Sequence, residues 1–532
     1  MDAFLIRVLH IVLTYVMNGF QASFATEVNV EFNSVLQVID EKFVAVTLDS
    51  HLIQEGWLKF DFGYFLNNVL EKTANLAHGL APCYLRLGGT AADLLTFDPQ
   101  KTVPNKPWSA KKYQEFLLKK HYKNFTMSAA DWDLINKFSA AVGWEMIFDL
   151  NVLIREHGSW DPANAMLLMN YTKSRGYKLA GFELGNEPNA FHHVFDRTVT
   201  AADLARDFVQ LRQIMGRYSQ STLLVGPDVT KVEKKNVLHY FEEFLASGGG
   251  GVVDRATFHH YYIDGRTAAV GDFINASILD SLKTDLTDAV TTARAHAQGV
   301  PVWIGETASA FGGGAEGLSD AYVAGFMWLD KLGLSALYGV KGVFRQSFYK
   351  GSYALLDLDT LGPKPCESIF LTIGGHCTML HLTVVLFSCV LVTLDYWLTL
   401  LYKRLVGKQV FHVTSTSSTD RLRVYAHCTN TNSIYNYKPG SLTVYAMNID
   451  NADTTLSLPQ FGNMTLHVYW LTPGGGGLKS KFVQLNNKTL QLVDKHLPSL
   501  TPSLGSTSSI SIPAHSFGFL VIPDANVLLC HK

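Results

Sequence analysis

The sequence predicts an α/β protein in which a (β/α)8 TIM barrel is followed by a C-terminal β-sandwich domain. Up to Phe348, eight apolar runs rich in β-branched and aromatic residues alternate with helical patterns, as in a barrel of parallel strands. Two of these runs end at a glutamate, Glu187 and Glu306. From Val410 onward the pattern changes to short strands separated by polar turns, which is typical of a β-sandwich.

The chain divides into four predicted segments. Residues 1–25 combine Arg7, an apolar stretch and a small-residue cleavage pattern, which indicates a signal peptide, with a buried N-terminal helix as the alternative. Residues 26–42 alternate like a strand and are expected to join the sandwich. Residues 43–409 are predicted to form the barrel, and residues 410–532 the sandwich. The predicted barrel strands are 43–49, 83–88, 145–150, 181–185, 222–226, 256–261, 302–305 and 342–348.

Composition narrows the class of protein. Of the 532 residues, 47% are hydrophobic and 17% are charged, so the chain can bury a large core and is not a disordered or fibrous protein. The net charge of -2 provides no general attraction for nucleic acid, and we expect no nucleic-acid partner. No spacing of Cys and His is typical of a metal site, and we expect neither a metal nor a cofactor.

Several features favour the secretory pathway. Five Asn-x-Ser/Thr triplets are compatible with N-glycosylation. They lie at Asn124, Asn170, Asn275, Asn463 and Asn487. Cys428 and Cys530 flank the β-rich C-terminal segment, and in an oxidising compartment a disulfide between them would close a long loop. We therefore expect a secreted or lysosomal protein.

An apolar stretch interrupts the last part of the predicted barrel. Residues 366–394 are nearly uncharged and contain enough apolar length to suggest a transmembrane helix. A span at this point would place the C-terminal domain across the membrane from the barrel, so we expect no stable membrane span. Two alternatives stay open, an apolar insertion folded against the surface and non-coding sequence retained in a gene model.

The two glutamates are the main candidates for catalysis. In this type of barrel the C-terminal strand ends carry the catalytic groups, and Glu187 follows predicted strand four while Glu306 follows predicted strand seven. Two such carboxylates are what retaining glycoside hydrolysis requires. We predict that Glu187 is the acid/base, which carries a proton for the leaving sugar, and that Glu306 is the ionised nucleophile. The alternative is that each is an ordinary loop charge or a neighbour of a helix N-cap.

Three longer motifs resemble one enzyme family. They are Glu183-Leu-Gly-Asn-Glu-Pro-Asn189, Phe258-His-His-Tyr-Tyr-Ile-Asp-Gly-Arg-Thr267 and Gly305-Glu-Thr-Ala-Ser-Ala-Phe-Gly-Gly-Gly314. The motifs are similar to those of the heparanase family, the endo-β-glucuronidases of glycoside hydrolase family 79, and the resemblance covers nearly the whole chain outside residues 366–394. It implies cleavage of heparan sulfate beside a glucuronic acid with retention of anomeric configuration. An exo-β-glucuronidase of the same family and a non-catalytic heparan-sulfate-binding homologue are the alternatives.

The resemblance also implies roles for residues around the two glutamates. Asn186 would hydrogen-bond the 2-substituent of the reacting sugar, or else cap its loop. Tyr261 would hydrogen-bond the nucleophile, or else pair with Tyr262 at the barrel rim. The residues implied to bind substrate are Asp49, Thr90, Lys120, Lys123, Lys231, Lys234, Lys235, His259, Arg266, Gly312, Gly313, Gly351 and Tyr353.

The lysines in this set belong to two basic clusters, residues 119–123 and 231–235. By resemblance they would bind the sulfated chain on either side of the cleft, which favours endo action over exo action. The alternative is that each cluster is a solvated helix face. The sequence leaves the oligomeric state open.

Overall fold

The computed structural model describes residues 25–56, 68–106, 108, 112, 123–219, 221–357, 391–417 and 420–531. Three predictions lie outside the described residues. They concern the signal peptide up to residue 24, Lys120, and residues 366–390 of the apolar stretch.

Strands and helices are numbered here in chain order. The strands are β1 (Thr26–Glu31), β2 (Gln37–Val38), β3 (Val44–Asp49), β4 (Cys83–Gly88), β5 (Leu95–Asp98), β6 (Phe125–Ser128), β7 (Trp144–Leu150), β8 (Arg155–Glu156), β9 (Ser159–Trp160), β10 (Gly181–Leu184), β11 (Leu223–Val229), β12 (Arg255–Asp264), β13 (Val302–Phe311), β14 (Gly342–Arg345), β15 (Leu356–Asp357), β16 (Leu391–Val392), β17 (Val406–Ser415), β18 (Leu422–Thr429), β19 (Leu442–Asn448), β20 (Thr454–Ser457), β21 (Thr465–Pro473), β22 (Val483–Leu485), β23 (Lys488–Thr489), β24 (Ser503–Ser506), β25 (Ile510–Ile512) and β26 (Ser516–Ile522). The α-helices are α1 (His51–Gln54), α2 (Asn68–Gly79), α3 (Ala129–Ala141), α4 (Ala163–Ser174), α5 (Phe191–Val194), α6 (Ala201–Met215), α7 (Lys235–Ala246), α8 (Ala276–His296), α9 (Ala324–Leu337) and α10 (Leu394–Leu405).

Eight parallel strands form a closed barrel, in the order β10, β11, β12, β13, β14, β3, β4 and β7. The strands read as nearly continuous apolar runs because helices cover their outer faces, so both faces are buried. The predicted (β/α)8 barrel is confirmed. All carboxyl ends of the strands lie at one end of the barrel, which we call the mouth.

Four predicted strand ends are wrong, since β11 also runs on to Val229 instead of residue 226 and β14 stops at Arg345 instead of residue 348. β13 runs on to Phe311, so Glu306 lies inside this strand rather than after it, and β12 runs on to Asp264, so Tyr261 is also internal. The two strands pair with each other over this extra length, which the sequence pattern did not reveal because both carry polar residues there. Strand β4 ends at Gly88 as predicted, and Thr90 begins a short 3-10 helix after it.

Helix α9 lies between the barrel and the C-terminal sheet, and residues Ala324 to Ala336 are all buried. Two glycines allow this close packing. A Cβ atom at Gly325 would lie 2.4 Å from the Phe517 ring, and one at Gly333 would lie 2.6 Å from the Tyr425 ring. Both aromatic rings belong to the C-terminal sheet, so the barrel and the sheet share one continuous apolar core.

The C-terminal region is one twelve-stranded sheet whose main path runs β23, β22, β21, β26, β19, β18, β17, β1, β20 and β25. The N-terminal strand β1 is part of it, antiparallel to β17 and parallel to β20. Strand β17 begins at Val406, four residues before the predicted domain boundary, because helix α10 ends at Leu405. Cys428 and Cys530 are joined by a disulfide across a sequence separation of 102 residues.

The predicted apolar insert is too long at its C-terminal end. Leu391 and Val392 form β16, which pairs with β15, and the Thr393 backbone N–H donates to Leu355 O. Leu394 begins α10 and is buried against Gly325. Residues 391–394 therefore belong to the folded structure, where they pair with β15 and lead into helix α10. Within the described ranges, no helix has the length and apolar character needed to cross a bilayer.

Candidate active site

The mouth of the barrel brings the two predicted catalytic glutamates into one hydrogen-bonded network. Glu187 lies in the loop after β10, and its side chain is 30% exposed. The Glu306 side chain is only 12% exposed. A β-bulge directs it into the mouth, because His259 pairs with Glu306 while the preceding Phe258 pairs with Ile304. The residue skipped is Gly305, where a Cβ atom would lie 2.5 Å from Asp228 Oδ1.

Two donors hold the carboxylate of Glu306. The Tyr261 hydroxyl donates to Oε1, and Arg86 Nη1 donates to Oε2 at 3.0 Å. These contacts support the predicted contact of Tyr261 rather than the alternative of a rim pair with Tyr262. A carboxylate held by two fixed donors, one of them cationic, is held in one orientation.

Arg86 is the main site residue that the sequence prediction missed. It is fully buried in β4, where Nε donates to Glu183 Oε2 at 2.7 Å and Nη2 donates to Asn186 Oδ1 at 3.0 Å. Burial raises the pKa of Glu183 to about 8, although the adjacent Arg86 lowers it. An arginine inside an otherwise apolar strand was a signal for this role, because a buried cation requires buried acceptors.

His259 links the acid/base candidate to a second carboxylate. Its Nδ1 lies 3.0 Å from Glu187 Oε1, and its Nε2 lies 3.3 Å from Asp228 Oδ1. Burial by itself lowers the pKa of His259, but the hydrogen bonds to Asp228 and Glu187 raise it to about 10. His259 is therefore an imidazolium near neutral pH and donates from both nitrogens. This places it in the acid/base network, in addition to the substrate-binding role implied for it.

The loop that carries Glu187 is held in an unusual conformation. Glu187 has a left-handed backbone, with φ 54° and ψ 49°, which is uncommon for a residue with a side chain. Its N–H donates to Asp228 O at 2.9 Å. The N–H of Asn186 donates to Asp93 Oδ2, and the N–H of Gly185 donates to Asp149 Oδ1, each at 2.9 Å.

Asp93, Asp149 and Asp228 were also missed by the sequence prediction. All three are buried, and burial raises the pKa of Asp93 to about 7. The signal for Asp149 and Asp228 was a carboxylate near the end of a buried barrel strand, whereas Asp93 lies in the short 3-10 helix after β4.

Four of the predicted substrate-binding residues line the mouth beside Glu306. Asp49 ends β3, and a Cβ atom at Gly89 would lie 3.2 Å from its Oδ2, so the loop that begins with Thr90 packs against it. Gly351 and Tyr353 follow β14, and the Tyr353 ring lies 6.3 Å from the Tyr261 ring. Burial raises the pKa of Asp49.

The loop after β13 forms the neighbouring part of the rim. Gly312 and Gly313 have φ values of 81° and 96°, and a Cβ atom at either would meet no other atom. The Ser352 N–H donates to Gly313 O at 2.8 Å, which connects this loop to the one after β14. The two glycines therefore leave an open backbone surface beside Tyr353.

Arg266 is exposed, but its charge is already paired. The guanidinium donates to both carboxylate oxygens of Asp264, and hydrogen bonds from Arg266 lower the pKa of Asp264 to about 2. The guanidinium also lies 5.9 Å from the Phe311 ring centroid. An anionic substrate would have to compete with Asp264 for this arginine.

The basic clusters are only partly arranged as expected. The Lys231 Nζ lies 2.5 Å from Glu233 Oε2 and 3.7 Å from Asp285 Oδ2, so its charge is already paired with acidic side chains. Lys234 and Lys235 are exposed at the N-terminus of α7, which follows β11 at the mouth. Lys123 is exposed, and its carbonyl accepts from Gln54 of α1.

Comparisons with known proteins agree with this geometry. The family model for glycosyl hydrolase family 79, N-terminal domain, matches residues 25–333. The chain is 35% identical to a heparanase of Gallus gallus over 95% of this chain and 96% of that protein. It is 34% identical to a hyaluronoglucuronidase of Hirudo nipponia, over 95% of this chain and 99% of that protein.

Among solved structures, a 4-O-α-L-rhamnosyl-β-D-glucuronidase of Fusarium oxysporum matches with a TM-score of 0.65 and 16% identity. The match covers 93% of this chain and 100% of that one and supports the fold. The resemblance to the heparanase family is confirmed by the sequence comparisons. The chain therefore belongs to glycosyl hydrolase family 79 and is a glycoside hydrolase.

Proposed function

We propose that the protein is a retaining endo-β-glucuronidase that cleaves heparan sulfate, with Glu306 as nucleophile and Glu187 as acid/base. The observation that carries this proposal is the different environment of the two carboxylates at one barrel mouth. Glu306 is held by Arg86 and Tyr261, whereas Glu187 is more exposed and contacts His259. Its relatives include heparanases that are about one-third identical over nearly the whole chain.

In the first step, a carboxylate oxygen of Glu306 attacks the anomeric carbon of the glucuronic acid, and the glycosidic C–O bond breaks. The leaving oxygen takes the proton of Glu187, and an ester joins the sugar to Glu306. Arg86 and Tyr261 orient the attacking carboxylate. In the second step, Glu187 takes a proton from water, the water oxygen attacks the anomeric carbon, and the ester bond breaks with overall retention.

His259 supports both steps through its contact with one oxygen of Glu187. The Glu187 side chain stays 30% exposed, so its carboxyl can face the leaving oxygen and later the water. Asn186, held by Arg86, is in position beside Glu187 to hydrogen-bond the 2-substituent of the reacting sugar. Asp49, Thr90, Gly351 and Tyr353 would bind the uronic acid on the Glu306 side.

The exposed lysines support endo action. Lys123 lies near α1, after strand β3, and Lys234 and Lys235 lie after β11, on different sides of the mouth. A polyanionic chain that extends beyond the reacting sugar in both directions would meet positive charge on both sides. An exo-acting enzyme would not require these charges.

A second candidate substrate is the unsulfated chain hyaluronan. One relative at 34% identity is a hyaluronoglucuronidase, and two predicted basic contacts, Lys231 and Arg266, are already paired with carboxylates. Fewer free cations at the mouth would suit a less highly charged polymer. Incubation of the protein with each polymer, followed by sizing of the products, separates the two candidates.

The proposed roles are tested by Glu306→Gln and Glu187→Gln. Each variant should lose hydrolysis of heparan sulfate at least about 1000-fold while keeping binding, because the shape of the site is unchanged and one protonation state is lost. Glu145→Gln is the matched control, since Glu145 is 52% exposed near the start of β7, at the opposite end of the barrel. Near wild-type turnover by either site variant would refute the role of that residue. Binding without hydrolysis by the wild-type protein would identify it as a non-catalytic homologue.

We also propose that the C-terminal sheet folds as a β-sandwich and that the protein enters the secretory pathway. Apolar side chains from distant parts of the sheet path, including Val28, Leu442 and Ile512, belong to one cluster, which supports two packed layers. The Cys428–Cys530 disulfide supports an oxidising compartment. Peptide mapping of secreted material would test the second proposal.

A further inference from the structure

The segment that carries Glu306 is out of register with both neighbouring strands. On the β12 side, Ile304 pairs with Phe258, and Glu306 pairs with the next residue, His259. On the β14 side, Ile304 pairs with Val343, and Thr307 pairs with Arg345, so three steps along β13 match two along β14. A bulge on both sides leaves this backbone with fewer ladder contacts than an ordinary barrel strand. Other groups must therefore hold it in place.

Lys331 of helix α9 contacts the backbone just beyond this bulge. Its Nζ donates to Ala308 O at 2.8 Å, to His260 O at 3.3 Å and to Thr307 Oγ1. The Thr307 hydroxyl in turn donates to His260 O. These hydrogen bonds connect Thr307 and Ala308, the two residues after Glu306, to His260 on the neighbouring strand β12.

The surroundings of Lys331 are costly for an amine. The residue is 1% exposed, its Nζ lies 4.5 Å from the Tyr262 ring centroid, and burial lowers its pKa well below the usual value. An apolar side chain of similar length would avoid this cost at a position in the middle of a buried helix. A lysine at this position can donate hydrogen bonds to three oxygen acceptors on β12 and β13, and a methionine cannot.

We infer that Lys331 is a positioning residue that fixes the backbone of the bulge and thereby aims the carboxylate of Glu306 at the anomeric carbon. The inference rests on the proposed role of Glu306 as nucleophile. Lys331 does not itself reach the mouth, because its contacts are to main-chain oxygens and to the buried Thr307 on the outer side of the strands. It acts through the geometry of the strand.

The primary test is Lys331→Met, with Lys403→Met as the matched control. Lys403 also donates to two carbonyls of the barrel, Val44 O at 3.1 Å and Pro82 O at 2.8 Å, but at the end opposite the mouth. We expect kcat of Lys331→Met to fall about 10–100-fold with KM within about threefold, because a misplaced reacting group slows the chemical step without weakening ground-state binding. Lys403→Met should keep kcat within about threefold, even if both variants lose similar thermal stability.

Azide rescue separates positioning of Glu306 from a general structural role. The substrate is a heparan sulfate oligosaccharide with an aryl leaving group, and Glu306→Gly supplies the space for azide to attack in place of the carboxylate. Since azide does not depend on the aim of Glu306, Lys331→Met should have little further effect in the Glu306→Gly background. A rescued rate that falls with Lys331→Met as much as the wild-type rate does would overturn the inference.

Failure of the two proposals gives different results. If azide does not restore turnover to Glu306→Gly and yields no glycosyl azide, the role of Glu306 is refuted, and this inference falls with it. If rescue succeeds but Lys331→Met keeps normal kcat, only the positioning role is refuted. Should Lys331→Met not fold, Thr307→Val removes the hydroxyl contact while Thr307→Ser keeps it. The valine variant should then lose kcat and the serine variant keep it, and equal values would overturn the inference.

Discussion

Asp228→Asn should lower the free energy of unfolding most below neutral pH, because Asp228 stabilises the protonated form of His259. Both groups are fully buried, and the pKa of His259 is raised from 6.5 to about 10. A difference of this size corresponds to roughly 5 kcal/mol of favourable interaction with the protonated ring, shared between Asp228, Glu187 and the more distant Glu306. Removing the Asp228 charge leaves a buried imidazolium without its buried carboxylate partner, and breaking a buried pair of this kind costs about 3–5 kcal/mol.

The sign of the pH dependence follows from the direction of this pKa. A folded-state pKa above the unfolded value gives stability that is fully present below about pH 6.5 and is lost as the pH rises through about 10. The difference in free energy of unfolding between wild type and Asp228→Asn should therefore be largest near pH 6 and should narrow toward pH 10. Urea denaturation at a series of pH values, with the disulfide intact, measures it.

Asp285→Asn is the matched control for this prediction. Asp285 Oδ2 lies 3.3 Å from His260 Nε2, the same separation as in the Asp228–His259 pair. Burial lowers the pKa of His260 well below 6.5, however, so this histidine is neutral, and burial raises the pKa of Asp285 to about 7. The difference in free energy of unfolding between wild type and Asp285→Asn should therefore change with pH between about 4 and 7 and stay constant from about pH 7 to 10. A constant difference between wild type and Asp228→Asn from pH 6 to 10 would refute the assignment of His259 as an imidazolium.

Three further predictions concern the site, the apolar stretch and the disulfide. Tyr261→Phe should lower kcat about 10–100-fold, since a hydrogen bond to a charged group contributes about 1.5–3 kcal/mol. The Tyr262 hydroxyl has no hydrogen-bond partner among the described residues, so kcat of Tyr262→Phe should stay within about twofold of the wild-type value. Equal loss in both variants would contradict the contact between Tyr261 and Glu306. Deletion of residues 366–390 should preserve soluble yield and activity. Deletion of residues 366–394 should reduce both, because it also removes β16 and the start of α10. Loss of yield and activity on deletion of 366–390 would show that the shorter segment is required. Cys428→Ser should destabilise the C-terminal sheet by about 2–5 kcal/mol, measured by thermal unfolding, and an unchanged transition would argue against the bond.

Much of the architecture could be predicted from local sequence. Eight apolar runs with helical patterns between them were sufficient for the barrel, because strands buried on both faces must be apolar along their whole length. The two glutamates were identifiable because each comes at the end of such an apolar run, and the carboxyl ends of barrel strands carry the catalytic groups, although β13 itself continues past Glu306 to Phe311. The long motifs around Glu187 and Glu306 added the family, which the comparisons confirm.

The remaining site residues depend on contacts between segments far apart in the chain. Arg86 is 97 positions from Glu183 and 220 from Glu306, yet it donates to both, since closure of the barrel brings β4, β10 and β13 to one mouth. The bulge at Gly305 depends on the registers of β12 and β14, and the local pattern of β13 does not contain this information. Lys231 belongs to a basic run in the sequence, but Glu233 and Asp285 pair with it in the fold.

The sequence alone therefore determined the barrel, the two catalytic candidates and the family of this protein. These depend on the apolar periodicity of single strands and on short motifs. Only the tertiary structure decided which buried charges hold the glutamates, which lysines remain free, and where the apolar stretch gives way to the barrel. The physical reason is that a buried charge is stabilised only by the partners that packing brings to it, and those partners come from other strands.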